Sequence, residues 1–163
     1  MTLVLNHKQI HQKITRIAYE IYERNVKEEE LIFAGLTGMG YAFAELLIKK
    51  MEEISPIRIK LIKVLLDKVD PKVGEVGLSE DVPLRDRAVV MVDDVLNTGK
   101  TLAYGMGPFL EAGVRKMEVA VLVNRSHKLF PVAPDYTGYD LATTLSEHIT
   151  VKLDPKESTV HLH

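Results

Sequence analysis

Residues Val89 to Thr101 read V-V-M-V-D-D-V-L-N-T-G-K-T. An apolar run of strand length, Val89 to Val92, leads into two adjacent carboxylates, Asp93 and Asp94, and then a short polar loop containing Gly99 opens a helical pattern. A continuous apolar strand is the mark of a parallel sheet covered on both faces. In such sheets ligands bind at the carboxyl ends of the strands, where this acidic pair falls. Backbone amides from Asn97 to Thr101 would face the start of the next helix and make an anion site, with the Thr98 and Thr101 hydroxyls as further donors. Two carboxylates beside that cradle would repel a polyphosphate but accept hydrogen bonds from neighbouring hydroxyls. Together they point to a ribose 5-phosphate group. Two competing motifs fail on spacing: a triphosphate-binding loop ending in Gly99-Lys100-Thr101 needs glycine where Asp94 stands, and Gly35, Gly38 and Gly40 run in the reverse order of a dinucleotide fingerprint.

The flanking chain repeats the strand-helix alternation. Ile10, Ile14, Ile17, Ala18, Ile21 and Tyr22 fall at helical spacing, starting from Asn6 as N-cap and fraying into the charged stretch Lys27 to Glu30. Leu31 to Ala34 is a short strand, followed by the glycine cluster and a helix through Phe43, Leu46, Leu47 and Met51. Ile57 to Leu66 alternates apolar and basic residues, then shifts phase at Ile62, which predicts a strand with a bulge or bend. Asp67 to Arg87 has no periodicity and reads as a mobile excursion. Ala88 to Val92 is the next strand, Thr101 to Leu110 a helix closed by Gly113, and Met117 to Val123 another apolar strand. Arg125 to Thr144 reads as loop-rich, with a possible last strand at Ile149 to Leu153. The alternation predicts an α/β fold, a doubly wound and mainly parallel sheet with helices on both faces. A single domain spans residues 1–163, with a small hood from the 125–145 region and the chain end.

Composition limits the function. The chain has 163 residues, 46% of them apolar, enough for one core. Lys plus Arg is 21 and Asp plus Glu 23, a net charge of −2, so RNA or DNA binding would require a local basic patch. The absence of cysteine excludes disulfides and thiolate chemistry. No apolar run approaches the ~20 residues of a membrane span, and Met1 to His11 lacks the apolar stretch of a signal peptide. A cytoplasmic protein without membrane partners is the expectation.

The segment V-D-D-V-L-N-T-G-K-T resembles the phosphoribosyl-pyrophosphate motif of the type I phosphoribosyltransferases. Thr15 to Asn25 (T-R-I-A-Y-E-I-Y-E-R-N) and Ala120 to Gly138 (A-V-L-V-N-R-S-H-K-L-F-P-V-A-P-D-Y-T-G) are similar to the PyrR group, bifunctional pyrimidine operon regulators and uracil phosphoribosyltransferases. The resemblance implies transfer of ribose 5-phosphate from phosphoribosyl pyrophosphate to uracil, giving UMP and pyrophosphate, with substrate-bound magnesium near Asp93 and Asp94. It assigns the ribose hydroxyls to Asp93 and Asp94 and the phosphate to Asn97, Thr98, Gly99, Lys100 and Thr101. The base goes to Pro131, Asp135 and Tyr136, and the pyrophosphate loop to Thr37, Gly38, Met39 and Gly40. It also implies a homodimer or higher oligomer and, as the alternative role, a nucleotide-sensing RNA-binding regulator using Arg16, Arg125 and Lys128. The chain departs from the family at two places. The pyrophosphate loop lacks the usual Lys and Arg, which removes contacts worth roughly 1.5–3 kcal/mol each where buried. Asp67 and Lys68 replace the tyrosine and arginine that open the family's mobile loop.

Overall fold

A computed structural model describes all 163 residues. Thirteen elements follow in the order β1 (Thr2–Leu5), α1 (His7–Arg24), β2 (Glu30–Leu36), α2 (Met39–Ile54), β3 (Arg58–Leu65), β4 (Gly77–Leu78), β5 (Ala88–Leu96), α3 (Lys100–Gly105), α4 (Gly107–Ala112), β6 (Lys116–Arg125), β7 (Tyr136–Leu141), β8 (Ile149–Lys152) and β9 (Thr159–Leu162). Asn6 starts α1 with a capping box: its side chain accepts from the Gln9 amide at 2.9 Å and the Gln9 side chain accepts from the Asn6 amide at 2.9 Å. The helix then buries the apolar stripe of Ile10, Ile14, Ile17, Ala18 and Ile21.

The main sheet has the order β4-β3-β2-β5-β6-β7, parallel except for β4. Alternate strand residues feed two cores. Leu31, Phe33, Val90, Val92, Ala120 and Leu122 pack with α1 and α2. Ile32, Ala34, Val89, Met91, Val119 and Val121 pack with Leu102 of α3 and Phe109 of α4. Burial on both faces explains why the strands read as unbroken apolar runs. From β2 the chain crosses through α2 to β3 on one side, and from β5 through α3 and α4 to β6 on the other. The carboxyl ends of β2 and β5 therefore diverge at a switch point, the usual place for a ligand crevice.

Several elements differ from the sequence expectation. No bulge interrupts β3, which pairs with β2 without a break from Glu30↔Arg58 to Leu36↔Val64. Its phase shift arises because Ile59 and Leu61 pack on the first core, whereas Ile62 and Val64 are buried in the second. The expected helix from Thr101 to Leu110 is two short helices, α3 and α4, that meet at Met106. Pro108 lacks the amide that would continue the ladder, and Gly113 closes α4 in the left-handed conformation at φ 76°. β5 runs past the acidic pair to Leu96. The 125–145 stretch contributes a whole edge strand, β7, parallel to β6. The small three-stranded sheet, in the order β1-β9-β8, comes from the two chain ends. The 67–87 excursion holds β4 and buries Leu84.

Candidate functional site

Asp93 and Asp94 sit near the carboxyl end of β5, beside the first turn of α2. A Cβ on Gly40 would come within 2.8 Å of Asp93 Oδ1 and 3.0 Å of the Val92 carbonyl, so only glycine lets the helix approach this closely. Asp93 is 4% exposed. Its Oδ1 accepts from the Asp94 amide at 2.9 Å and from Lys68 Nζ at 3.2 Å. Burial and, after it, the charge of Asp94 push the Asp93 carboxyl up to about 7, against the opposing pull of Lys68. A buried carboxyl in this state has strong demand for a cation. Lys68 answers part of it from the 67–87 excursion, a partnership with no local sequence signal.

The turn from Thr37 to Gly40 is fixed at its start, where the Thr37 hydroxyl donates to the Val64 carbonyl at 2.6 Å and its amide donates to the same oxygen at 3.2 Å. Gly38 precedes α2 at φ 92°, and no side chain caps the helix start. The first turn of α2 is therefore uncapped where Gly40 packs against Asp93. Met39 is at the surface.

The loop from Asn97 to Thr101 encloses a small cavity that Asp93 also lines. Lys100 donates its amide to Thr98 Oγ1 at 3.2 Å. The amides of Leu129 and Phe130 donate to the Thr98 carbonyl at 2.8 and 3.0 Å, so the 129–132 segment lies against this loop. Gly99, at φ 89°, has the Phe130 carbonyl 3.2 Å and Val132 Cβ 3.3 Å from where a Cβ would stand. A cavity of about 770 Å³ opens elsewhere and contains none of these groups, and one of about 530 Å³ shares only Phe130 with them.

Of the residues assigned to the base, Pro131 falls beside the 97–101 loop, but Asp135 and Tyr136 lie elsewhere. Asp135 exchanges two 2.8 Å bonds with the Val119 backbone. Tyr136, 1% exposed, is paired with Ala120 in the first core, and its hydroxyl donates to Glu118 at 2.9 Å. Burial and then Glu118 hold its phenol far above the ordinary tyrosine value. These two are structural residues at the entry of β7, because β7 begins there instead of a loop. The three cations assigned to RNA are also engaged within the chain. Arg16 pairs with Glu20 at 3.1 Å and donates to the Thr137 and Gly138 carbonyls on the β7 edge. Lys128 donates to Asn124 and to the Arg125 carbonyl. Arg125 donates to Asn97 and to Thr143, Thr144 and Glu147. Sequence reasoning missed Arg125 as part of the site's framework because its partners lie 18 to 28 residues away.

The donor set suits a hard cation that arrives with its own ligands. It offers two adjacent carboxylates, and no cluster of three His, Asp or Glu side chains forms a self-sufficient metal cage.

The fold is an α/β domain that carries an acidic pair and a glycine loop at the switch point of its parallel sheet. The phosphoribosyl transferase domain model matches residues 2–156, and the chain belongs to that family. It is similar to the bifunctional protein PyrR of Clostridioides difficile, 35% identical over 92% of this chain and 89% of that one. The bifunctional protein PyrR of Bacillus subtilis is 33% identical over 93% and 90%, placing the chain among PyrR-like type I phosphoribosyltransferases. In fold it resembles the hypoxanthine phosphoribosyltransferase of Trypanosoma cruzi, with a TM-score of 0.79 and 14% identity over 98% of this chain and 95% of that one. A hypoxanthine-guanine phosphoribosyltransferase of Bacillus anthracis gives a TM-score of 0.69 at 19% identity, covering 86% and 82%.

Proposed function

We propose that the protein transfers ribose 5-phosphate from phosphoribosyl pyrophosphate to uracil, forming UMP and pyrophosphate in pyrimidine salvage. The observation that carries this reading is the buried Asp93 beside Asp94, packed against the uncapped first turn of α2 and lining one cavity with the Asn97–Thr101 loop. Asp93 and Asp94 hold the ribose diol, and the amides and hydroxyls of 97–101 hold the phosphate. The backbone of Thr37 to Gly40 takes the pyrophosphate without a side-chain cation. Pro131 and its neighbours border the base. Asp93 and Asp94 would hold a magnesium ion that comes with the substrate, and that ion would supply positive charge against the departing pyrophosphate. Bond cleavage builds positive charge on the sugar ring, so the chain contributes chiefly position and electrostatics and needs no covalent nucleophile. A single-turnover assay with uracil, phosphoribosyl pyrophosphate and magnesium is expected to yield UMP. Preference for a purine base would overturn the uracil assignment.

One observation favours a regulatory reading beside the enzymatic one. Thr37-Gly38-Met39-Gly40 carries no cation, which weakens the hold on pyrophosphate and leaves nucleotide binding less affected than turnover. In that reading the protein senses UMP and binds RNA as a cytoplasmic homo-oligomer, in keeping with relatives named bifunctional. Gel shifts on a pyrimidine leader RNA with and without UMP test it, and binding indifferent to UMP would remove it.

A further inference from the structure

At the end of β6, the Arg125 guanidinium is held from several sides. Nε and Nη2 donate to Thr143 Oγ1 at 3.0 and 2.7 Å, and Nη2 also donates to the Glu147 carbonyl at 2.8 Å and the Thr144 carbonyl at 3.2 Å. The segment that holds it is itself braced, by His127 against the Thr143 carbonyl at 2.6 Å and by the Thr144 amide to Glu147 Oε1 at 2.6 Å. The remaining arm, Nη1, donates to Asn97 Oδ1 at 2.9 Å. Asn97 opens the 97–101 loop and lines the small cavity together with Asp93.

A carboxamide can present either an acceptor or a donor, whereas arginine has only donors. With Arg125 fixed, the oxygen of Asn97 must turn toward it, and the amide nitrogen is left for the ligand. We infer that Arg125 is a positioning residue that makes Asn97 a hydrogen-bond donor to an oxygen of the bound nucleotide. This rests on the sugar-phosphate reading of the 97–101 loop. Without Arg125 the amide is free to turn its oxygen toward phosphate or pyrimidine oxygens, where two acceptors meet and repel.

The test is a double-mutant cycle by calorimetry, titrating UMP and, separately, ribose 5-phosphate into wild type, Arg125→Met, Asn97→Ala and the double variant. If Arg125 acts through Asn97, each single substitution weakens UMP binding by about two- to tenfold, and the double variant is no weaker than Asn97→Ala alone. Arg125→Lys, still a donor, recovers part of the loss. Equal losses for both ligands put the contact on phosphate, and a loss confined to UMP puts it on the base; either supports the inference. A role limited to bracing residues 143–147 would give Arg125→Met the same fold-loss whether or not Asn97 is present, and that multiplicative result overturns the proposal, as does unchanged binding by Arg125→Met. Failure of the wild type to bind either ligand would instead remove the sugar-phosphate reading and this inference with it. Thermal unfolding of each variant separates loss of binding from loss of fold.

Discussion

Burial and the neighbouring Asp94 lift the Asp93 carboxyl to about 7 from an ordinary 3.8. The unfolded chain gives up that proton at lower pH than the folded one, so between these values the folded state binds more protons. Stability therefore falls as pH rises through this window, and the full penalty is present above about 7. Asp93→Asn keeps an oxygen for the Asp94 amide and removes the charge. It should stabilise the fold at about pH 8 by on the order of 2 kcal/mol, with a smaller gain at about pH 4, read by denaturant unfolding. A gain larger at low pH would contradict burial and like-charge repulsion as the source of the shift. Lys68 pulls in the other direction. Lys68→Met should raise the Asp93 value further and move the pH midpoint of ligand binding upward; an unmoved midpoint would mean that the 3.2 Å ion pair has no weight. Gly40→Ala places a methyl 2.8 Å from Asp93 Oδ1, against a helix and strand that cannot both retreat. A cost of about 1–3 kcal/mol and a marked loss of ligand affinity are expected, from unfolding and calorimetry.

Among the elements, those with strong apolar periodicity were legible. The Asn6 cap and the stripe of α1 stand where the spacing put them, and β2, β5 and β6 follow from runs that are apolar because both faces are covered. β7 was not legible. Tyr136 to Leu141 alternates a buried tyrosine and a glycine with polar residues, and its register is set by contact with β6, not by its own pattern. A Cβ on Gly138 would stand 2.5 Å from the Leu122 carbonyl, so the strand's approach depends on glycine. Gly138→Ala should destabilise by about 1–3 kcal/mol and raise amide exchange first in β7; exchange spread evenly over the sheet would contradict this. The acidic pair and the 97–101 turn stand together at the end of β5 as the sequence suggested, because they are contiguous in the chain. The partners of Lys68 and Arg125 were not legible, since the sequence put Lys68 at the opening of a mobile loop and Arg125 among RNA-binding cations, and only the fold brings them to Asp93 and Asn97.

At the scale of the whole molecule, the strand order places the carboxyl ends of β2 and β5 together at the switch point, and the two chain ends close a small sheet beside the main one. No helix is long and apolar enough to cross a membrane. The site draws on β5, the start of α2, the 97–101 loop, the excursion through Lys68 and the 129–132 segment, which no single stretch of sequence could supply. A crystal structure of the UMP complex tests the arrangement most directly. The sugar diol should rest on Asp93 and Asp94, with the phosphate against the amides of Thr98 to Thr101. A phosphate bound away from that loop, or a diol that does not touch the acidic pair, would contradict it.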